Sequence, residues 1–157
     1  MAAQRESEHT PLSKQIDQML TEARTILPGA QALLGSQLTV FLAQGFADMG
    51  DGPQVAHITA LLLVALTVLL LTLSAAYHRI VYAGEDSKDV LRVGTRTVSL
   101  ATGPLSAALA LDTAVLCVHA LHAPGAAASL GIAVFRGLAG AWFAWPLLGR
   151  ARRGQAA

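Results

Sequence analysis

Charge is what this chain has least of. Asp, Glu, Lys and Arg together supply 13% of its 157 residues, where soluble globular domains carry about 25%. Disordered tails, coiled coils and nucleic-acid-binding modules all depend on charge, so its scarcity excludes them. The formal balance is +1, which gives no bulk attraction for an acidic partner. Cysteine is nearly missing as well. The single Cys117 leaves no internal disulfide framework and no thiolate zinc site. No metal-hydrolase helix, nucleophile elbow or phosphate-cradling glycine loop is present, so neither an enzyme nor a cofactor is expected. What the chain has in quantity is apolar side chains, at 54%. That composition fits a protein that folds in a lipid bilayer.

A helix crossing the ~30 Å hydrocarbon layer needs about 20 mostly apolar residues. Residues 25–47, between Arg24 and Asp48, are 23 uncharged positions, and residues 52–78, between Asp51 and Arg79, are 27. The second stretch contains the nearly pure run from Ile58 to Ala76. Two more stretches hold one charge each: Thr97 to His122 with Asp112, and Ala126 to Gly149 with Arg136. Pro124-Gly125 reads as the turn between them. The expectation is an all-α, four-transmembrane-helix bundle with spans near 28–48, 56–82, 93–121 and 126–149, together a domain over 28–150, and a basic tail over 151–157.

Ten of the eleven Lys and Arg residues fall in or beside the N-terminal segment, the middle loop or the tail, Arg136 being the exception. By the positive-inside rule both termini face the cytoplasm. The first 24 residues carry four acidic groups and no apolar core, unlike a cleavable signal peptide. Residues 1–10 are polar and are read as mobile. Beyond Thr10, a helix cap in this reading, Leu12, Ile16, Met19, Leu20, Ala23 and Leu27 recur at three- and four-residue spacing. Residues 11–27 are therefore predicted to form an amphipathic interfacial helix, lying on the membrane surface or against the bundle, with a bend at Pro28-Gly29.

The block from Arg24, RTILPGAQALLGSQLTVF, and the block AYHRIVY at residues 76–82 resemble those of a family of small bacterial four-span integral membrane proteins of unknown function. Members of that family sometimes carry an automatic sodium:proton antiporter label. The resemblance spans about residues 18–150 and implies the same topology, in the bacterial inner membrane. It marks Arg24, Pro28, Gly29, Gln31, Tyr77, His78 and Arg79 as motif positions. It assigns none of them a chemical role.

Ionisable groups within the bilayer are costly, at about 3 to more than 10 kcal/mol each, so Asp112 and Arg136 demand an explanation. Counted at ~1.5 Å per residue from the outer ends of their helices, both sit at roughly 13–15 Å depth. The same count places Gln37 and Thr67 at that level. The sequence thus predicts one polar layer, Gln37–Thr67–Asp112–Arg136, closed by an Asp–Arg ion pair. The favoured reading is a clamp that fixes helix register; the competing one is a proton or small-cation site. Gln31, Gln37 and Gln44 are read as sharing a face of the first helix, and Ser106, Ala110 and Ala114 with Ala133, Gly137 and Ala141 as small-residue packing stripes. His57, His119 and His122 are placed on the outer rim, where they are candidates for a metal site. Tyr77 to Arg79 and Trp142 with Trp145 fit interfacial anchors, and Arg150, Arg152 and Arg153 a contact with anionic lipid. The function expected is transport-related or channel-like in a homo-oligomer; the alternative is a non-transporting scaffold or accessory subunit.

Overall fold

The structure is a computed structural model and describes residues 11–83 and 85–154. It is all-α, a four-helix bundle. Helix α1 spans Leu12–Leu42, the short α2 Gln44–Ala47, α3 Asp51–Tyr82 and α4 Lys88–Leu121. Helix α5, Pro124–Ala139, continues through a π-helical turn, Gly140–Ala144, into α6, Trp145–Gly154. Among the described residues four helical stretches are long and apolar enough to cross a membrane: Leu12–Leu42, Asp51–Tyr82, Lys88–Leu121 and Pro124–Gly149.

Each of the first three long helices buries a seam spaced alternately by three and four residues, the spacing of left-handed helix packing. On α3 the seam is His57, Ala60, Val64, Thr67, Leu71 and Ser74. On α4 it includes Val90, Gly94, Thr97, Ala101, Ala108 and Val115. Small side chains predominate there, while Ile58, Leu62, Leu66, Leu69 and Leu73 of α3 point outward. In water this arrangement would waste most of the apolar area. In lipid it is the expected one, because close backbone approach, rather than escape from water, drives helices together.

Two apolar clusters fix the register. Ile16, Met19 and Ala23 of α1 pack with Leu71 of α3 and with Val90, Val98 and Ala101 of α4. Further along, Ala30 packs with Ala60, Val64 and Ala108. Helix α1 therefore runs parallel to α4 and antiparallel to α3. Helix α5 packs on α4, where Gly131 lies against Ala110 and Ala114. A Cβ built at Gly131 would come within 2.9 Å of the Ala110 carbonyl oxygen and 3.0 Å of the Ala114 Cβ. Glycine is thus required for this approach.

Of the two placements expected for the amphipathic segment over 11–27, the one against the bundle is met, but the segment is not a separate helix. It is the first half of α1, which stays helical through Pro28, and its apolar face is buried in the bundle. A proline costs a membrane helix little when its neighbours support the freed backbone. The first span ends at Leu42 rather than near residue 48, and the Gln54 amide donates to the Phe46 and Met49 carbonyls to hold the following loop. The turn after α4 is made by His122, in the left-handed conformation at φ 51°, and Pro124 opens α5. At the π turn the Trp145 N–H reaches the Gly140 carbonyl. The wider turn makes room for the ring of Pro146, which would otherwise crowd the carbonyl of Trp142. Segment 1–10 with the Thr10 cap, and residues 155–157 of the tail, lie outside the described residues.

Candidate functional site

Three polar side chains from three helices meet between α1, α3 and α4. Gln37, 2% exposed, donates from Nε2 to Asp112 Oδ2 at 2.7 Å. His57, 4% exposed, places Nε2 3.0 Å from the Gln37 backbone carbonyl. A carbonyl only accepts, so this contact assigns the hydrogen to Nε2. Nδ1 then faces Asp112 Oδ1 at 3.5 Å, within ion-pair range but without a formed hydrogen bond. A neutral imidazole presents a lone pair there, and so does a carboxylate. The contact becomes attractive only when one proton sits on the pair, as imidazolium with carboxylate or as imidazole with carboxylic acid.

Two acceptor oxygens, Asp112 Oδ1 and Gln37 Oε1, are buried with no hydrogen-bond partner among the described residues. Beside them lies an open-sided cavity of about 330 Å³, whose lining includes Ser36, Gln37, Met49, His57, Asp112 and His119. A second cavity, of about 190 Å³, shares Met49, Val115 and His119 with the first and extends to Asp48 and His122. The two cavities lie side by side toward the end of the bundle that carries α2. Phe46 lies against the His57 ring with centroids 5.7 Å apart, and Phe41 against Phe46 at 5.0 Å. These rings pack His57 on its α2 side.

The polar layer read from the sequence is met only in its Gln37–Asp112 pair. Thr67 is fully buried, but its hydroxyl donates to the Leu63 carbonyl and approaches that of Ala101. It stands ten residues along α3 from His57, roughly 15 Å away. The count went astray because α3 starts at Asp51, not near Ala56. The Asp112–Arg136 ion pair is absent: among the described residues the ion pairs are His57–Asp112 and Arg92–Asp89. Residues two apart on a helix point about 200° away from each other. Helix α5 docks on the face of α4 that carries Ala110 and Ala114, and Asp112 looks the other way, toward α1 and α3. Arg136 is exposed and borders an apolar hollow of about 590 Å³ between α4 and α5. His57 takes the place at Asp112 expected for Arg136.

The other sequence candidates separate. Gln31 is exposed, and Gln44 lies beyond the end of α1. Six residues advance a helix by about 600°, so Gln31 and Gln37 point 120° apart. His119 and His122 are exposed while His57 is buried, and among the described residues no three His, Cys, Asp or Glu side chains converge on a metal position. Pro28 and Gly29 are exposed on α1. Tyr77 packs against Tyr82 with ring centroids 5.9 Å apart. Arg24, His78 and Arg79 line one further cavity at the opposite end of the bundle. Ala110 and Ala114 serve the hairpin with α5, whereas Ala133, Gly137 and Ala141 are exposed.

Four long apolar helices, with large side chains outside and small ones within, define a multi-pass α-helical membrane protein. The chain belongs to a family of unknown function, DUF6328, which it matches over residues 5–146. No curated protein and no solved structure matches it.

Proposed function

We propose that this is a small transport-related membrane protein in which Asp112, with His57 and Gln37, exchanges a proton during passage of a proton or small cation. The observation that carries this reading is the one-proton deficit at the His57 Nδ1–Asp112 Oδ1 contact, next to a cavity that leads out of the bundle. With a proton bound, the pair is satisfied. With the proton gone, Asp112 keeps a negative charge, and its own Oδ1 and the neighbouring Gln37 Oε1 are two unpartnered oxygens, a donor pair suited to a small hard cation. An ionisable group held at membrane depth without a permanent Lys or Arg partner is a functional site in its own right.

The same reading puts the protein in the bacterial inner membrane with both ends cytoplasmic, on the distribution of Lys and Arg. It is not an enzyme. It works as a homo-oligomer, since the stripe Ala133, Gly137 and Ala141 and the mid-span Arg136 of α5 are exposed among the described residues, a surface a second copy would cover. The deciding experiment is flux into proteoliposomes under proton, Na⁺ and K⁺ gradients, comparing the native chain with Asp112→Asn. Flux that collapses while helix content is retained supports the reading. Equal flux from both proteins, or none above empty vesicles for any gradient, refutes it and leaves the scaffold role.

A further inference from the structure

The sequence blocks around Arg24 and around Tyr77–Arg79 lie more than 50 residues apart, yet the fold joins them. Arg24 of α1 and His78 with Arg79 of α3 line one cavity of about 340 Å³, with Leu20, Ala75 and Ala83. This is at the small end of ligand-sized cavities, about 300–1,000 Å³. It lies at the end of the bundle that carries the α3–α4 loop, opposite the Asp112 cavity. Among the described residues no carboxylate lines it. Among the described residues neither guanidinium makes an ion pair. His78 Nε2 is sealed from solvent with no hydrogen-bond partner. Ala83 shapes the rim: it closes α3 in the left-handed conformation, at φ 50°, with its N–H on the His78 carbonyl. Two guanidinium-bearing side chains without an ion-pair partner, both exposed, thus line a space bounded by two helices, with His78 in its wall.

From this arrangement we infer that the cavity is a binding site for a phosphate group, from an anionic lipid headgroup or from a soluble phosphate compound. Each guanidinium offers a planar fork of donors that matches two phosphate oxygens at once. The level suits this ligand: Arg79 lies in the last turn of α3 and Arg24 borders the uncharged stretch of α1. Basic pockets between helices at a membrane face hold phosphate headgroups in this manner. The inference is independent of what happens at Asp112.

The test uses the full-length protein in neutral detergent and follows its thermal unfolding during titration with short-chain phosphatidylglycerol, phosphatidylcholine or inorganic phosphate. Phosphatidylglycerol is expected to raise the melting temperature saturably and phosphatidylcholine to do so far less. Arg24→Gln/Arg79→Gln should weaken this response at least about tenfold, the scale of lost charge-assisted hydrogen bonds. Arg92→Gln/Arg96→Gln, which removes the same charge outside the cavity, should change it less than about twofold. Arg24→Lys/Arg79→Lys keeps charge and fold without the forked geometry and should fall between, which covers a Gln pair that fails to fold. Saturation by phosphatidylglycerol alone assigns the site to lipid; saturation by inorganic phosphate as well assigns it to a soluble phosphate compound. Equal losses from the two Gln pairs, or no response of the native protein to phosphatidylglycerol and phosphate, would overturn the inference.

Discussion

Replacing Asp112 by Asn isolates the proton count at the candidate site. In Asp112→Asn the amide oxygen takes the position of Oδ2 and still accepts from Gln37, now 2.7 Å away. The amide nitrogen takes the position of Oδ1, 3.5 Å from His57 Nδ1. Because the His57 hydrogen is committed to the Gln37 carbonyl, Nδ1 is free to accept from that amide. The variant thus completes the network without an added proton. Its stability should lie within about 0.5 kcal/mol of the native protein, since an interhelical hydrogen bond in a membrane is worth about 0.6 kcal/mol on average. Asp112→Ala loses both interhelical contacts and strands Gln37 Nε2, so it should cost roughly 1–3 kcal/mol. Reversible unfolding by SDS titration in mixed micelles resolves the two. If Asn proves as damaging as Ala, Asp112 is held by something other than the pair described, and the assignment of hydrogens at His57 fails.

Four further outcomes follow from the packing, a helix cap and the topology. Gly131→Val should destabilise the α4–α5 hairpin by about 1–3 kcal/mol, because the new side chain meets the Ala110 carbonyl, which cannot move aside cheaply. Gly137→Ala meets nothing within 4 Å and should leave monomer stability unchanged in the same unfolding assay. Ser87→Ala removes the hydroxyl that accepts from the Asp89 N–H at the start of α4 and should cost about 0.5–2 kcal/mol. In a Cys117→Ala background, single cysteines replacing Ser13 and Ala151 should react with an impermeant maleimide from one side of the membrane, and a cysteine replacing Asp51 from the other; labelling of all three from one side would refute the four-span topology.

The spans were legible because a bilayer imposes a length and a polarity that can be counted along the chain. What could not be counted was azimuth. Depth placed Asp112 level with Arg136, and depth cannot say that α5 docks on Ala110 and Ala114 while Asp112 turns away. On α3 nearly every position is apolar, so polarity does not separate the core face from the lipid face. Size does so with the exception of the buried Leu71: Ala60, Val64 and Ser74 face inward, and Leu62, Leu66 and Leu69 outward. His57 was missed as the partner of Asp112 because the start of α3 was set too late. A sign was present in Gly50, Asp51 and Pro53, since proline in a first turn sacrifices no helical hydrogen bond. The fate of the amphipathic stretch before Pro28 was less accessible: a stripe of apolar residues looks the same whether it meets lipid or another helix. Only the register of α1 against Leu71 and Val90 decides between them.

The order in which the site's members occur along the chain bears on how it is made. Gln37 and His57 belong to segments synthesised before α4. When the carboxyl group of Asp112 leaves the translocation machinery, its reception committee is already in the bilayer, and the costliest acid of the molecule need never face acyl chains alone. Arg136 arrives last, on a helix that packs on α4, and it stays on the outer surface of the finished bundle.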